Sequence, residues 1–190
     1  ACFLLTCSGD LYSLGKNVHG LLGLNNKDTD FFTFKPTKID SLPSAVDIIE
    51  CSRDGAMCKL ENGDVYAWGL NQYRKFCIKH EDKEYKKLEK VEELEVYSPQ
   101  KCLNIPNNII SIKLNDYNAF LLTNDGKVYA TGIDKKYLSI RSKSFYPKEI
   151  ILLEKPLLLD SLPLIDKILC TYENVFLLDK QGCVWSLHVF

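Results

Sequence analysis

Short apolar runs recur along the chain, each closed by a turn and a glycine. Phe3-Leu4-Leu5-Thr6, Met57-Cys58-Lys59-Leu60, Phe120-Leu121-Leu122-Thr123 and Phe176-Leu177-Leu178-Asp179 lead through two residues into Gly9, Gly63, Gly126 and Gly182. Beyond each glycine the order is polar or small, aliphatic, aromatic, small: Asp64-Val65-Tyr66-Ala67, Lys127-Val128-Tyr129-Ala130, Cys183-Val184-Trp185-Ser186. Period-two alternation predicts strands on either side of the turn. Asn62-Gly63 and Asp125-Gly126 predict tight hairpins, because both residue types accept positive φ. A further strand is predicted upstream of each hairpin, over 46–51, 109–114 and 165–170.

The spacing turns these pieces into a repeat. The glycines lie 54, 63 and 56 residues apart. Pro36, Pro99 and Pro156 stand 27, 27 and 26 residues before the next glycine, and Pro43, Pro106 and Pro163 stand 20, 20 and 19 before it. Length variation is thus confined to the stretch between a glycine and the following proline, as expected of surface connectors between packed strands. Four short strands per period of about 55 residues predict the blades of a β-propeller, each needing a neighbour on both faces. Val65, Ala67, Val128, Ala130, Val184 and Ser186 fall on one strand face; Tyr12, Tyr66, Tyr129 and Trp185 fall on the other and are expected to pack in the core. The expected fold is all-β, about three and a half blades of four antiparallel strands. Residues 9–62, 63–125 and 126–181 form units, 182–190 a remnant, and 1–8 the completion of a preceding blade.

At these residues the chain resembles the regulator of chromosome condensation repeat family. Gly63-Asp64-Val65-Tyr66-Ala67-Trp68-Gly69-Leu70-Asn71 matches its Gly-x-Val-Tyr-x-Trp-Gly-x-Asn pattern in full, and Gly20-Leu21-Leu22-Gly23-Leu24 is similar to its Gly-x-Leu-Gly extension. There are departures. The turn histidine is replaced by Gly55, Asn118 and Asn174, and Tyr73-Arg74-Lys75-Phe76 stands in place of Gly-x-Leu-Gly in the second unit. The resemblance implies a seven-bladed propeller. The absent initiator Met and the immediate entry into a strand make part of a longer propeller the expectation.

The resemblance also implies which surface acts. In the family the turn ahead of the Leu-rich strand lies on one propeller face and often carries binding residues. The matching positions are Arg53 and Asp54, Asp116 and Tyr117, and Tyr172 and Glu173. Charged and aromatic side chains recurring at one turn suit protein recognition. The family's plant ultraviolet photoreceptors use Trp at the first of these positions, where this chain has Arg53, Asp116 and Tyr172. The expected function is a non-catalytic scaffold recruiting a protein partner. The alternative implied by the family is guanine-nucleotide exchange on a Ran-like small GTPase, although no segment matches the exchange wedge residue by residue. Related propellers are also found attached to kinases or HECT-type ubiquitin ligases.

Composition narrows the classes. With 46% apolar and 26% charged residues the chain is not of disordered type. A net charge of −1 argues against direct nucleic-acid binding. No apolar run approaches membrane-spanning length. His19, His80 and His188 have no regularly spaced metal or triad partners, and no phosphate loop or nucleophile elbow occurs, so neither catalysis nor a cofactor nor a metal is expected. Eight cysteines without a Cys-x-x-Cys pair or a glycosylation sequon predict mostly buried, reduced thiols and an intracellular protein, cytoplasmic or nuclear. Residues 79–95 hold twelve charges in seventeen positions, with Tyr85, Leu88, Val91 and Leu94 every third residue. This reads as a solvated insertion or as a short docking helix for a partner.

Overall fold

A computed structural model describes residues 1–79, 95–133, 153, 155–172 and 174–188. The charged segment lies outside them except for Lys79 and Glu95, as do His80 and Glu173. Apart from one 3-10 turn at Val18–Gly20, every described element is a strand. No helix among these residues is long and apolar enough to cross a membrane.

Four antiparallel sheets follow one another along the chain. The first holds β1 (Cys2–Leu5), β2 (Leu11–Lys16) and β3 (Phe32–Lys38). The second holds β4 (Val46–Cys51), β5 (Gly55–Leu60), β6 (Val65–Leu70) and β7 (Glu95–Lys101). The third holds β8 (Ile109–Leu114), β9 (Asn118–Thr123), β10 (Val128–Gly132) and β11 (Leu157–Leu158). The fourth holds β12 (Ile165–Cys170), β13 (Asn174–Asp179) and β14 (Val184–His188). Within each sheet the strands are ordered as in sequence, so each sheet is an antiparallel meander. These are the blades the repeat predicts. The hairpin glycines support them: Gly63 and Gly126 have φ of +89° and +85°, a region only glycine enters freely.

In the first two units the first proline lies inside the outermost strand. Pro36 falls within β3 and Pro99 within β7. In both, the ladder skips at that place: Ser13 faces Thr37 but Gly15 faces Thr33, and Ala67 faces Gln100 but Gly69 faces Val96. An edge strand with a bulge is where proline's missing N–H does no harm.

Three apolar clusters lie between consecutive sheets. Leu11, Val46, Cys58, Leu60 and Trp68 join the first to the second; Met57, Val65, Ile112, Ala119 and Leu121 the second to the third; Phe120, Val128, Val175 and Leu177 the third to the fourth. Tyr66, Tyr129 and Trp185 pack against these clusters half-buried. Each sheet thus needs a neighbour on both faces, and the two outer faces lack one among the described residues. Leu4 is 46% exposed where its counterparts Cys58, Leu121 and Leu177 are sealed, and Val184 is 70% exposed where Val65 and Val128 are buried.

The cysteines correct one expectation. All eight are free thiols, but Cys2, Cys7, Cys51 and Cys183 are exposed and only Cys58, Cys77 and Cys102 are buried. The exposed ones sit in hairpin turns (Cys7, Cys183) or at strand termini (Cys2, Cys51), where no neighbouring sheet covers them. Burial pushes the Cys58 and Cys77 thiols up to about 12, leaving them protonated and inert at neutral pH.

Candidate functional site

Antiparallel order fixes which loops share an end of the array. The turns β4–β5, β8–β9 and β12–β13 lie opposite the glycine hairpins, at the same end as the loops that leave β2 and β6. There they enclose a depression of about 310 Å³ lined by Val18, His19, Arg53, Asp54, Leu70, Gln72, Tyr73, Asp116, Tyr117 and Tyr172. Five of the six residues singled out from the sequence therefore meet in one place, and the sixth, Glu173, lies outside the described residues.

The repeat explains how the floor is built. Asn17 and Asn71 occupy the same position after β2 and β6, and both are buried. Asn17 Oδ1 accepts the Leu22 amide at 3.2 Å and Asn71 Oδ1 the Phe76 amide at 3.0 Å. Each loop therefore turns back under its sheet in the same way. Arg74 and Cys77 adopt the positive φ taken by Gly20 and Gly23 in the first loop. Trp68 donates its indole N–H to the Leu21 carbonyl at 2.9 Å, and Thr131, its counterpart one blade on, donates its hydroxyl to the Lys75 carbonyl. Lys75 thus stands where the first loop has Leu21.

That lysine is the unusual group. Only 1% of its side chain is exposed, and its Nζ lies 2.7 Å from Asp54 Oδ1 and 3.2 Å from the Asp116 carbonyl. One ammonium ties the turn of the second sheet to the turn of the third. Burial pulls its pKa below the ordinary lysine value, opposed by the Asp54 carboxylate. Asp54 is further held by the Ser52 hydroxyl at 3.1 Å. Asn115 sets the next turn, accepting the Tyr117 and Asn118 amides at 2.9 and 2.7 Å.

Above the floor runs an aromatic row crossing three sheets. The rings of Tyr73 and Tyr117 are 5.3 Å apart and those of Tyr117 and Tyr172 are 6.1 Å apart. The two hydroxyls of the second pair are 3.5 Å apart, the main reason the Tyr117 phenol is raised above its usual range. Beside the row, the Asp116 carboxyl is raised by burial and by its neighbour Asp54, against the lowering pull of Lys75 and Arg53. At the far edge His19 Nδ1 lies 2.8 Å from Glu95 Oε1, while the Tyr97 hydroxyl donates to the other oxygen of the same carboxylate. No cluster of three potential metal ligands occurs among the described residues.

Sequence reasoning missed Tyr73, Gln72, His19 and Lys75. Placing Asn71–Cys77 on Asn17–Gly23 residue by residue would have found them. It puts Tyr73 on His19 and Lys75 on Leu21, turning an apparent loss of the Gly-x-Leu-Gly run into a second loop of the same build with a changed surface.

Comparison with known proteins agrees with this architecture. The family model described as the Regulator of chromosome condensation (RCC1) repeat matches residues 8–58. The Serine/threonine-protein kinase Nek9 of Xenopus laevis is 30% identical over 134 residues, which is 69% of this chain and 13% of that protein. The Regulator of chromosome condensation of Drosophila melanogaster is 42% identical over 66 residues, 35% of this chain and 12% of that one. Yeast RCC1 (Prp20), solved bound to Kap60, superimposes with a TM-score of 0.74 at 19% identity, over 97% of this chain and 40% of that one. The match thus spans only about an eighth of the length of each of these two curated relatives.

Proposed function

For a chain that belongs to the regulator of chromosome condensation repeat family, as a divergent member of it, we propose the role of a non-catalytic scaffold. It recruits a protein partner through the turn face formed by Arg53, Asp54, Asp116, Tyr117 and Tyr172, with Tyr73 added, and it acts inside the cell. The observation that carries the reading is the convergence of these side chains, from three successive sheets, on one depression. Tyrosine and arginine dominate the strongly contributing residues of protein interfaces, and aromatic residues gathered around a concave centre are what such an interface needs. The ordered floor beneath them lets the rings be presented with little entropy left to lose on binding.

The test is capture of partners by the intact protein and by Asp116→Lys with Tyr117→Ala, against Asn62→Lys at the opposite end of the second sheet. Capture of the same partner should fall at least about tenfold for the face variant and stay unchanged for the hairpin variant. Equal capture by all three removes the face from the account. Exchange on a Ran-like GTPase is the competing reading. It requires that the chain accelerate release of labelled GDP from such a GTPase, and clear acceleration would replace the scaffold-only role.

A further inference from the structure

Building on the turn face as a binding surface, we propose that its depression receives a single cationic side chain of the partner, an arginine or lysine, seated between the tyrosine row and the Asp116 carboxylate.

The acids of the depression are not equivalent. Asp54 already has Lys75 at 2.7 Å and the Ser52 hydroxyl at 3.1 Å. Asp116 makes no side-chain hydrogen bond and no ion pair with any described residue, yet it is half-buried with Asp54 acting on it. Lys75 makes no bond to its carboxylate: that ammonium bonds Asp54 and the Asp116 backbone carbonyl, and acts on the Asp116 carboxylate through its charge alone. A partly desolvated carboxylate without a partner is destabilised, and a cation entering from outside relieves it.

The walls favour the same ligand. The faces of tyrosine rings attract cations within about 6 Å of the ring centre. Tyr73, Tyr117 and Tyr172 place three such rings in sequence, with centroids 5.3 and 6.1 Å apart. At about 310 Å³ the space lies near the lower end of the ~300–1,000 Å³ typical of small-ligand clefts, which is room enough for one long side chain. Arg53, exposed beside it, is the opposing charge. It lowers the Asp116 pKa, so it lies within electrostatic reach of the carboxylate and repels whatever cation binds there. The proposal therefore makes Asp116 and Arg53 act with opposite signs.

The experiment titrates the intact protein, ring-labelled at tyrosine for NMR, with four capped pentapeptides. They share Gly-Ser flanks around a central arginine, lysine, citrulline or glutamate. The arginine and lysine peptides should shift the Tyr73, Tyr117 and Tyr172 signals with a Kd of about 1 mM, and the citrulline peptide should bind at least about tenfold more weakly. Asp116→Asn, whose side chain holds nothing in the fold, should weaken the arginine peptide about tenfold, while Arg53→Gln should tighten it about threefold. Preference for the glutamate peptide, with Arg53→Gln weakening it, overturns the inference but leaves the face as a binding surface. Absence of any cation preference likewise overturns it, and the face then stands or falls on capture of the intact partner.

Discussion

Lys75 gives the sharpest test of how the face is built. Lys75→Met keeps the length and most of the volume of the side chain but removes the ammonium that reaches Asp54 Oδ1 and the Asp116 carbonyl. Removing one partner of a buried ion pair costs about 3–5 kcal/mol, because the other charge is left without compensation. Asp54 keeps the Ser52 hydroxyl and 15% of its side-chain surface in water, which places the loss near the lower end, at about 3 kcal/mol. For a chain of this size that corresponds to a fall in Tm of roughly 6–12 °C. Asp54→Asn alone leaves the lysine buried and should likewise cost about 3 kcal/mol, while the double variant removes both charges and should cost far less than the sum. The assay is urea denaturation of the wild type, both single variants and the double variant, read as a shift in midpoint at constant slope. Singles that add within about 0.5 kcal/mol would refute the reasoning, since an additive pair is not coupled.

Three further outcomes follow from the same geometry. Trp68→Ala empties a sealed site between the first two sheets and loses the bond to the Leu21 carbonyl, so chemical denaturation should report a loss of about 3–5 kcal/mol. Labelling of the native protein with a thiol reagent should modify Cys2, Cys7, Cys51 and Cys183, with Cys51 slowed because burial raises its thiol; Cys58, Cys77 and Cys102 should react only after denaturation, as mass spectrometry of the labelled peptides would show. Glu95 is held below its ordinary 4.5 by the bond to His19 and then by that to Tyr97. Its contribution is therefore complete above that value and lost as pH falls through the lowered one, so Glu95→Gln should flatten the decline in stability below about pH 4.5 in acid titrations followed by circular dichroism.

Much of the fold is legible because its signals are local. A positive φ at Gly63 or Gly126 demands a particular residue, and alternation puts Val65 and Val128 on one face of their strands, which the next sheet covers. The turn residues of the face were legible through the repeat, which puts Arg53, Asp116 and Tyr172 in one register. Lys75 was not, because a charged residue in a leucine's slot resembles a solvated loop until its two partners, 21 and 41 residues away in sequence, are seen. Whether a strand tolerates Pro36 or Pro99 depends on a skip in the ladder to its neighbour, which sequence spacing does not record. The thiols were misjudged because the free surface of Cys7 and Cys183 follows from their turns, and their chemical type points the other way. The unpaired state of Asp116 is a property of the assembled floor. There the Lys75 ammonium bonds Asp54 and the Asp116 backbone carbonyl and makes no bond to the Asp116 carboxylate.

The most direct test of the central claim is site-specific photocrosslinking from the face. A benzophenone amino acid at Tyr172, a residue 51% exposed at the end of the tyrosine row, should crosslink a discrete protein partner in an extract of the source cells. The same probe at Asn62, in the hairpin at the other end of the second sheet, should not. Crosslinking of that partner from Asn62 with none from Tyr172 would contradict the account and move the binding surface to the opposite end of the sheets.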